Sequence, residues 1–194
     1  MNFRGFYAIL DRDDEQLAIT LAQHACALQV RMKKASAGEL ARVARMARRV
    51  CAHIPLIVND RIDVANAVGA DAVHLGQTDV PIEEARRITK LAIGVSTHNV
   101  EQVRAAVAAG ADYLGFGPVF ATTTKENPDP VQGLAGLSAA VAAAPGVTIV
   151  AIGGIGLDDA AAVYATGVSA ICAIGSVNTA LNVANAAARL RYPG

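Results

Sequence analysis

An excess of either charge is missing from this chain. Its 194 residues carry 17 Lys and Arg against 17 Asp and Glu, a formal net charge of zero. That balance offers no general attraction for nucleic acid or an anionic membrane, so neither is expected as a partner. Any anion site must be a local cluster. Cysteine is scarce too. Cys26, Cys51 and Cys172 form an odd set without CxxC or CxxxxH spacing. They read as small packing residues in a reducing compartment rather than as a disulfide framework.

A secretory signal is also lacking, because Met1–Phe6 is not a basic start followed by an apolar run. The cytoplasm is therefore the expected location. No linker or low-complexity segment breaks the chain, and its length suits one domain over residues 1–194. Two charge-free stretches, 131–157 and 160–188, could pass for membrane spans. Pro145-Gly146 and Gly153-Gly154 break the first, and Asn178, Asn182 and Asn185 recur at helical spacing in the second. Each is expected to divide into a helix and a buried strand.

What is present is a regular alternation. Short apolar, β-branched runs predict strands over Phe6–Asp11, Ala27–Met32, Leu56–Asp60, Ala72–Gly76, Ala92–Ser96, Tyr113–Gly117, Thr148–Ile152 and Ala170–Ile174. Their hydrophobicity is continuous, as parallel strands buried on both faces require. Helical patterns lie between them. Ser36–Glu39 has capping-box spacing ahead of a Leu40, Val43, Ala44, Ala47, Val50 stripe. Pro81 suits a first helical turn, and Val100, Val103 and Val107 line a helix that stops at Gly110. One pattern repeats: Gly69-Ala70-Asp71, Gly110-Ala111-Asp112 and, more weakly, Gly167-Val168-Ser169. Each places a helix-ending glycine and a polar residue before a buried strand. Eight such βα units without a GxGxxG opening favour an α/β fold of the (β/α)8 TIM-barrel type over an open doubly wound sheet.

In such a barrel, chemistry belongs to the C-terminal ends of the strands. Gln29, Arg31 and Lys33 alternate there and suit an anion, or form a solvated basic edge. Asn59-Asp60 ends the third strand and Gly76-Gln77-Thr78-Asp79 follows the fourth. Asp60 and Asp79 could share one hard cation such as Mg²⁺, or each could simply cap a helix. Ser96 could donate to a phosphate or cap the helix beginning near Asn99. His74 reads as a hydrogen-bonded core group and His98 as a loop residue. Thr122-Thr123-Thr124-Lys125 supplies hydroxyls and one ammonium to a loop able to close over a charged substrate, and Gln132-Gly133 suggests its return to the barrel mouth. Gly154 and Gly175, after the last two strands, could present backbone N–H groups to a phosphate, or serve tight turns.

Together these segments resemble the thiamine phosphate synthase family over nearly the whole chain. The resemblance rests on Gln29-Val30-Arg31-Met32-Lys33, Asn59-Asp60-Arg61, His74–Asp79, Gly94-Val95-Ser96, Gly115–Lys125 and Ala151–Ile155, in that order. It implies transfer of a hydroxymethylpyrimidine group from its diphosphate to the nitrogen of a thiazole phosphate. By that resemblance Asp60 and Asp79 bind Mg²⁺, and Arg31, Lys33, Asn59, Ser96 and Lys125 hold the diphosphate. Gln29 recognises the pyrimidine, Thr122 and Thr124 serve the thiazole phosphate side, and Gly154, Ile174 and Gly175 offer it backbone donors. The partners implied are these two small molecules, with self-association into a homo-oligomer left open. Met32, Thr78, the His24-Ala25-Cys26 segment and Gly175 depart from the family's usual residues. Two rival readings are a related thiazole tautomerase, which carries a histidine where this chain has Pro118, and a non-catalytic barrel that binds phosphorylated ligands.

Overall fold

The structure, a computed structural model, describes residues 1–122 and 129–193. Eight parallel strands close on one another in chain order: β1 (Gly5–Leu10), β2 (Ala25–Val30), β3 (Leu56–Asn59), β4 (Ala72–Leu75), β5 (Ala92–Thr97), β6 (Tyr113–Phe116), β7 (Ile149–Ile152) and β8 (Ala170–Cys172). Around them lie α1 (Glu15–Ala22), α2 (Ala37–Val50), α3 (Ile62–Val68), α4 (Ile82–Ile88), α5 (Val100–Ala108), α6 (Gly133–Ala143), α7 (Ala160–Tyr164), α8 (Gly175–Asn178) and α9 (Val183–Arg189). This is the expected (β/α)8 barrel. All eight strands fall where the apolar runs place them, with ends moved by at most two residues.

Alternation along each strand separates two apolar layers. Phe6, Ala8 and Leu10 of β1, with Leu28, Val58, Val73 and Ile93, pack outward against the helices. Tyr7, Ile9, Ala27, Ile57, Ala72, Tyr113 and Val150 fill the barrel itself. With both faces covered, polar alternation has no place in these strands.

The repeated Gly-Ala-Asp pattern has a physical cause. Gly69, Gly110 and Gly167 all take positive φ, at 62°, 84° and 87°, which ends each helix and turns the chain into the next strand. Asp71 Oδ2 then accepts from Leu56 N at 2.7 Å and from Arg48, whose guanidinium also donates to the Gly69 carbonyl. Asp112 repeats the device one step round the barrel, taking Ile93 N at 2.7 Å and Arg86, which also donates to the Gly110 carbonyl. Ser169 holds its place through backbone alone, with its carbonyl accepting from Gly5 N and its N–H donating to Ile149.

The Ser36–Glu39 capping box is present in full at the start of α2. Pro81 is the residue just before α4 rather than one within its first turn. Residues 160–188 divide into helices and a strand, as expected. The three asparagines, however, span a break: Asn182 caps α9 by accepting from Asn185 N at 2.9 Å, while Asn178 ends α8. Among the described residues no helix is long and apolar enough to cross a membrane.

Candidate active site

The mouth beyond β2, β3 and β4 gathers four charged groups. Gln29, 3% exposed, is the last inward residue of β2 and pairs with Ile57; Asn59 is buried two residues further along β3. The chain leaves β2 at Val30, one residue before the alternating reading would have it reach Arg31. Arg31 nevertheless continues the ladder, donating its N–H to the Leu10 carbonyl, and Met32 turns outward onto the helix-facing core. Lys33 sits in the turn that follows, exposed to solvent.

Asp60 takes a left-handed backbone at φ 60°, uncommon outside glycine, and its N–H donates to the His74 carbonyl. Neither aspartate is a helix cap. The residue flanking α3 is Arg61, with no side-chain cap, and α4 follows Pro81. Asp79 instead accepts from Gly76 N at 2.6 Å, which folds its own turn back toward β4. The two carboxyl groups lie within hydrogen-bonding reach of each other. Burial and then the Asp79 charge raise Asp60 to about 6, against the opposing pull of Lys33 and Arg31. A hard divalent ion would relieve that repulsion, so the donor set fits one. Among the described residues no group of three or more His, Cys, Asp or Glu gathers to enclose a metal. Mg²⁺ is usually held by one or two carboxylates, with phosphate oxygens and water completing its shell, and the Asp60–Asp79 pair fits that pattern.

Below this mouth lies a polar chain inside the barrel. Tyr7 Oη meets Tyr113 Oη at 3.0 Å, Tyr113 Oη meets His74 Nδ1 at 2.9 Å, and His74 Nε2 meets Ser96 Oγ at 2.9 Å. Glycines make room for it. A Cβ on Gly94 would sit 2.0 Å from the Tyr113 ring, and one on Gly115 would lie 3.3 Å from His74. Burial, with Arg31 nearby, pushes His74 down to about 4, so the ring is neutral. The reading of His74 as a hydrogen-bonded core group is thus met. Ser96 is not a helix cap, since Asn99 caps α5 by accepting from Gln102 N. The sequence reading passed over Tyr7 and Tyr113. Their signal was two tyrosines inside otherwise apolar strands, one of them facing Gly94.

The third part of the mouth belongs to β6, β7 and β8. Val119 and Phe120 donate their N–H groups to the Ile152 and Gly153 carbonyls, and Gln132 and Gly133 return to pair with Pro118 and Val119. The loop therefore comes back to the barrel mouth. His98 ties its base, with Nδ1 donating to the Gly117 carbonyl and Nε2 3.4 Å from Asp129. Gly154 takes φ 69°, and a Cβ there would strike the Ala121 carbonyl at 2.3 Å, so tight geometry alone demands glycine. Gly175 is open: a Cβ would meet nothing within 4 Å, and the residue begins α8 just after Ile174. Thr122 is half-buried at the loop's start. Thr124 and Lys125 lie outside the described residues.

A closed parallel barrel with paired carboxylates, two cations and glycine turns at the C-terminal rim defines the class: a (β/α)8 barrel with its candidate active site at the rim where such enzymes carry their chemistry. Residues 6–177 match the thiamine monophosphate synthase family, and the chain belongs to it. The family makes it a transferase. It is 43% identical over 192 residues to a thiamine-phosphate synthase of Anaeromyxobacter dehalogenans, covering 96% of this chain and 86% of that one. It is 46% identical over 171 residues to one from Chloroflexus aurantiacus, covering 86% and 78%. The solved structure of a thiamine phosphate pyrophosphorylase from Pyrococcus furiosus superposes with a TM-score of 0.88 at 36% identity, over 95% of this chain and 92% of that one. A 3-hexulose-6-phosphate synthase shares the fold alone, at TM-score 0.73 and 17% identity.

Proposed function

We propose that the protein joins hydroxymethylpyrimidine diphosphate to thiazole phosphate, giving thiamine phosphate and pyrophosphate. The observation that carries this is the Asp60–Asp79 pair set against Arg31 and Lys33, in a chain of this family. The reaction breaks the methylene C–O bond of the diphosphate, with its electron pair leaving on pyrophosphate. The thiazole nitrogen then donates its lone pair to the methylene carbon. The intervening pyrimidine cation is stabilised by the ring's own amino group, so the protein needs no nucleophile. It needs cations for the departing charge and a pocket that favours the thiazole over water.

Arg31, Lys33, Asn59, Ser96 and Lys125 hold the diphosphate in this reading, and Gln29, buried at the barrel's inner mouth, faces the pyrimidine. Mg²⁺ on Asp60 and Asp79 supplies positive charge to the phosphate oxygens when bound. Thr122, Thr124 and the backbone of Gly154, Ile174 and Gly175 serve the thiazole phosphate. The protein acts as a cytoplasmic enzyme on free small molecules.

The test is direct. Purified protein, both phosphorylated substrates and Mg²⁺ should yield thiamine phosphate and pyrophosphate in equal amounts. Binding of both substrates without product would instead make the barrel a sensor. Lys125→Ala should slow pyrophosphate loss in single turnover more than it raises the KM for thiazole phosphate. An unchanged kcat with only a higher KM would reduce Lys125 to a binding group.

A further inference from the structure

The polar chain inside the barrel has two ways to arrange its protons. In one, each hydroxyl donates toward the mouth: Tyr7 to Tyr113, Tyr113 to His74 Nδ1, and His74 Nε2–H to Ser96 Oγ. In the other, every bond reverses, and Ser96 donates inward to His74. The end of the chain separates them. Among the described residues Tyr113 is the hydrogen-bond partner of the Tyr7 hydroxyl, and Tyr7, 3% exposed, belongs to a buried apolar cluster with Phe3, Ile9, Ala27 and Val150. The neighbouring polar atoms are the thiols of Cys172 and Cys26, weak acceptors, and Cys26 already donates to the Phe6 carbonyl. With Ser96 donating inward and the imidazole proton on Nδ1, either the Tyr7 proton or, where Tyr7 still donates, the Tyr113 proton is left without a proper acceptor in a sealed interior, a costly arrangement. The outward direction leaves no buried proton stranded.

We infer that Tyr7, Tyr113 and His74 are positioning residues that fix Ser96 as a hydrogen-bond donor toward the substrate's diphosphate. With His74 Nε2–H occupying a lone pair on Ser96 Oγ, the Ser96 proton can only point away from the imidazole, toward the mouth. A serine held as a donor presents its proton to a phosphate oxygen whose charge grows as pyrophosphate departs. A serine free to turn would present a lone pair to that oxygen in some fraction of encounters. Gly94 and Gly115 belong to the same device, since any side chain there would displace the Tyr113 ring or crowd the imidazole. This inference rests on the proposed role of Ser96 in diphosphate binding.

A double-mutant cycle tests it, with the full-length protein, Mg²⁺ and both substrates. Ser96→Ala and Tyr113→Phe should each lower kcat by roughly tenfold or more, about the worth of one directed hydrogen bond to a charged group, with KM changed by less than about twofold. The double variant should be no slower than Ser96→Ala alone, because Tyr113 acts only through that hydroxyl. Multiplying losses would overturn the inference and leave Tyr113 as packing. Should Tyr113→Phe fail to fold, as a thermal melt would show, His74→Leu and His74→Gln replace it. The Gln amide can still donate to Ser96, so it should recover activity that Leu loses, and equal losses would overturn the inference as well. Failure of the proposed function is separate: the unmodified protein would then make no thiamine phosphate.

Discussion

The two rims of this barrel use the same residue types to opposite ends. At the bottom rim, Asp71 and Asp112 are each matched with one arginine and one strand N–H. Burial alone would raise Asp112, but Arg86 and the Ile93 N–H together hold its carboxyl below the ordinary range. At the mouth, Asp60 faces another carboxylate, and its pKa rises to about 6. Below, charge is balanced and closes the fold. Above, like charges are held together, as in the pairs that active sites use to shift pKa values, and the proposed Mg²⁺ would relieve that repulsion.

The sharpest way to break this contrast is to neutralise the mouth. Asp60→Asn and Asp79→Asn should each lower kcat by about a hundredfold or more and raise the Mg²⁺ concentration needed for half-maximal rate. The same variants should melt at a higher temperature than the unmodified protein in the absence of metal, near neutral pH. An unchanged Mg²⁺ requirement would contradict the metal assignment. Neutralising the bottom should do the reverse. Asp112→Ala should cost about 1–3 kcal/mol in urea unfolding, by stranding Arg86 and the Ile93 N–H, while kcat stays within about twofold.

The third comparison uses pH. Because the folded pKa of Asp60 is raised to about 6, its contribution to stability is complete below the unfolded carboxylate range and is lost as pH rises through that value. Bound Mg²⁺ should compensate for that loss. Its stabilising effect on the melting temperature should therefore be clear at about pH 8 and fade toward about pH 5, where protons compete for the site. A constant effect across that range would mean the ion binds elsewhere. The smallest effect belongs to Arg48→Ala. Its ion pair with Asp71 is partly solvated, so a loss of about 0.5–1 kcal/mol is expected, with activity untouched.

Much of the mouth was legible in the linear order of residues because a barrel puts every strand end on one rim. Once Gln29, Asn59 and Ser96 are placed near the ends of their strands, and Asp60 and Asp79 just beyond theirs, their convergence follows from closure alone. Single residues were harder to read. Whether Asp60 and Asp79 cap helices depends on where α3 and α4 begin, and helix ends are weakly marked when Arg61 and Pro81 stand there. Gly154 could be a phosphate donor or a tight turn by sequence, and the neighbouring loop answers only part of that, since Phe120 and Ala121 exclude a side chain whichever role applies. The interior chain was least legible. Tyr7 and Tyr113 lie 106 residues apart, and nothing local marks them as partners.

The sequence by itself determined the period of the fold. Eight apolar runs, the glycines that end helices at 69, 110 and 167, and the capping box at Ser36 are local signals, each enforced by backbone sterics or by burial within a few residues. Tertiary structure alone decided which charges meet. Closing the barrel set Asp60 against Asp79, paired Arg86 with Asp112, and lined up Tyr7, Tyr113, His74 and Ser96, because cross-strand register fixes distances that spacing along the chain cannot.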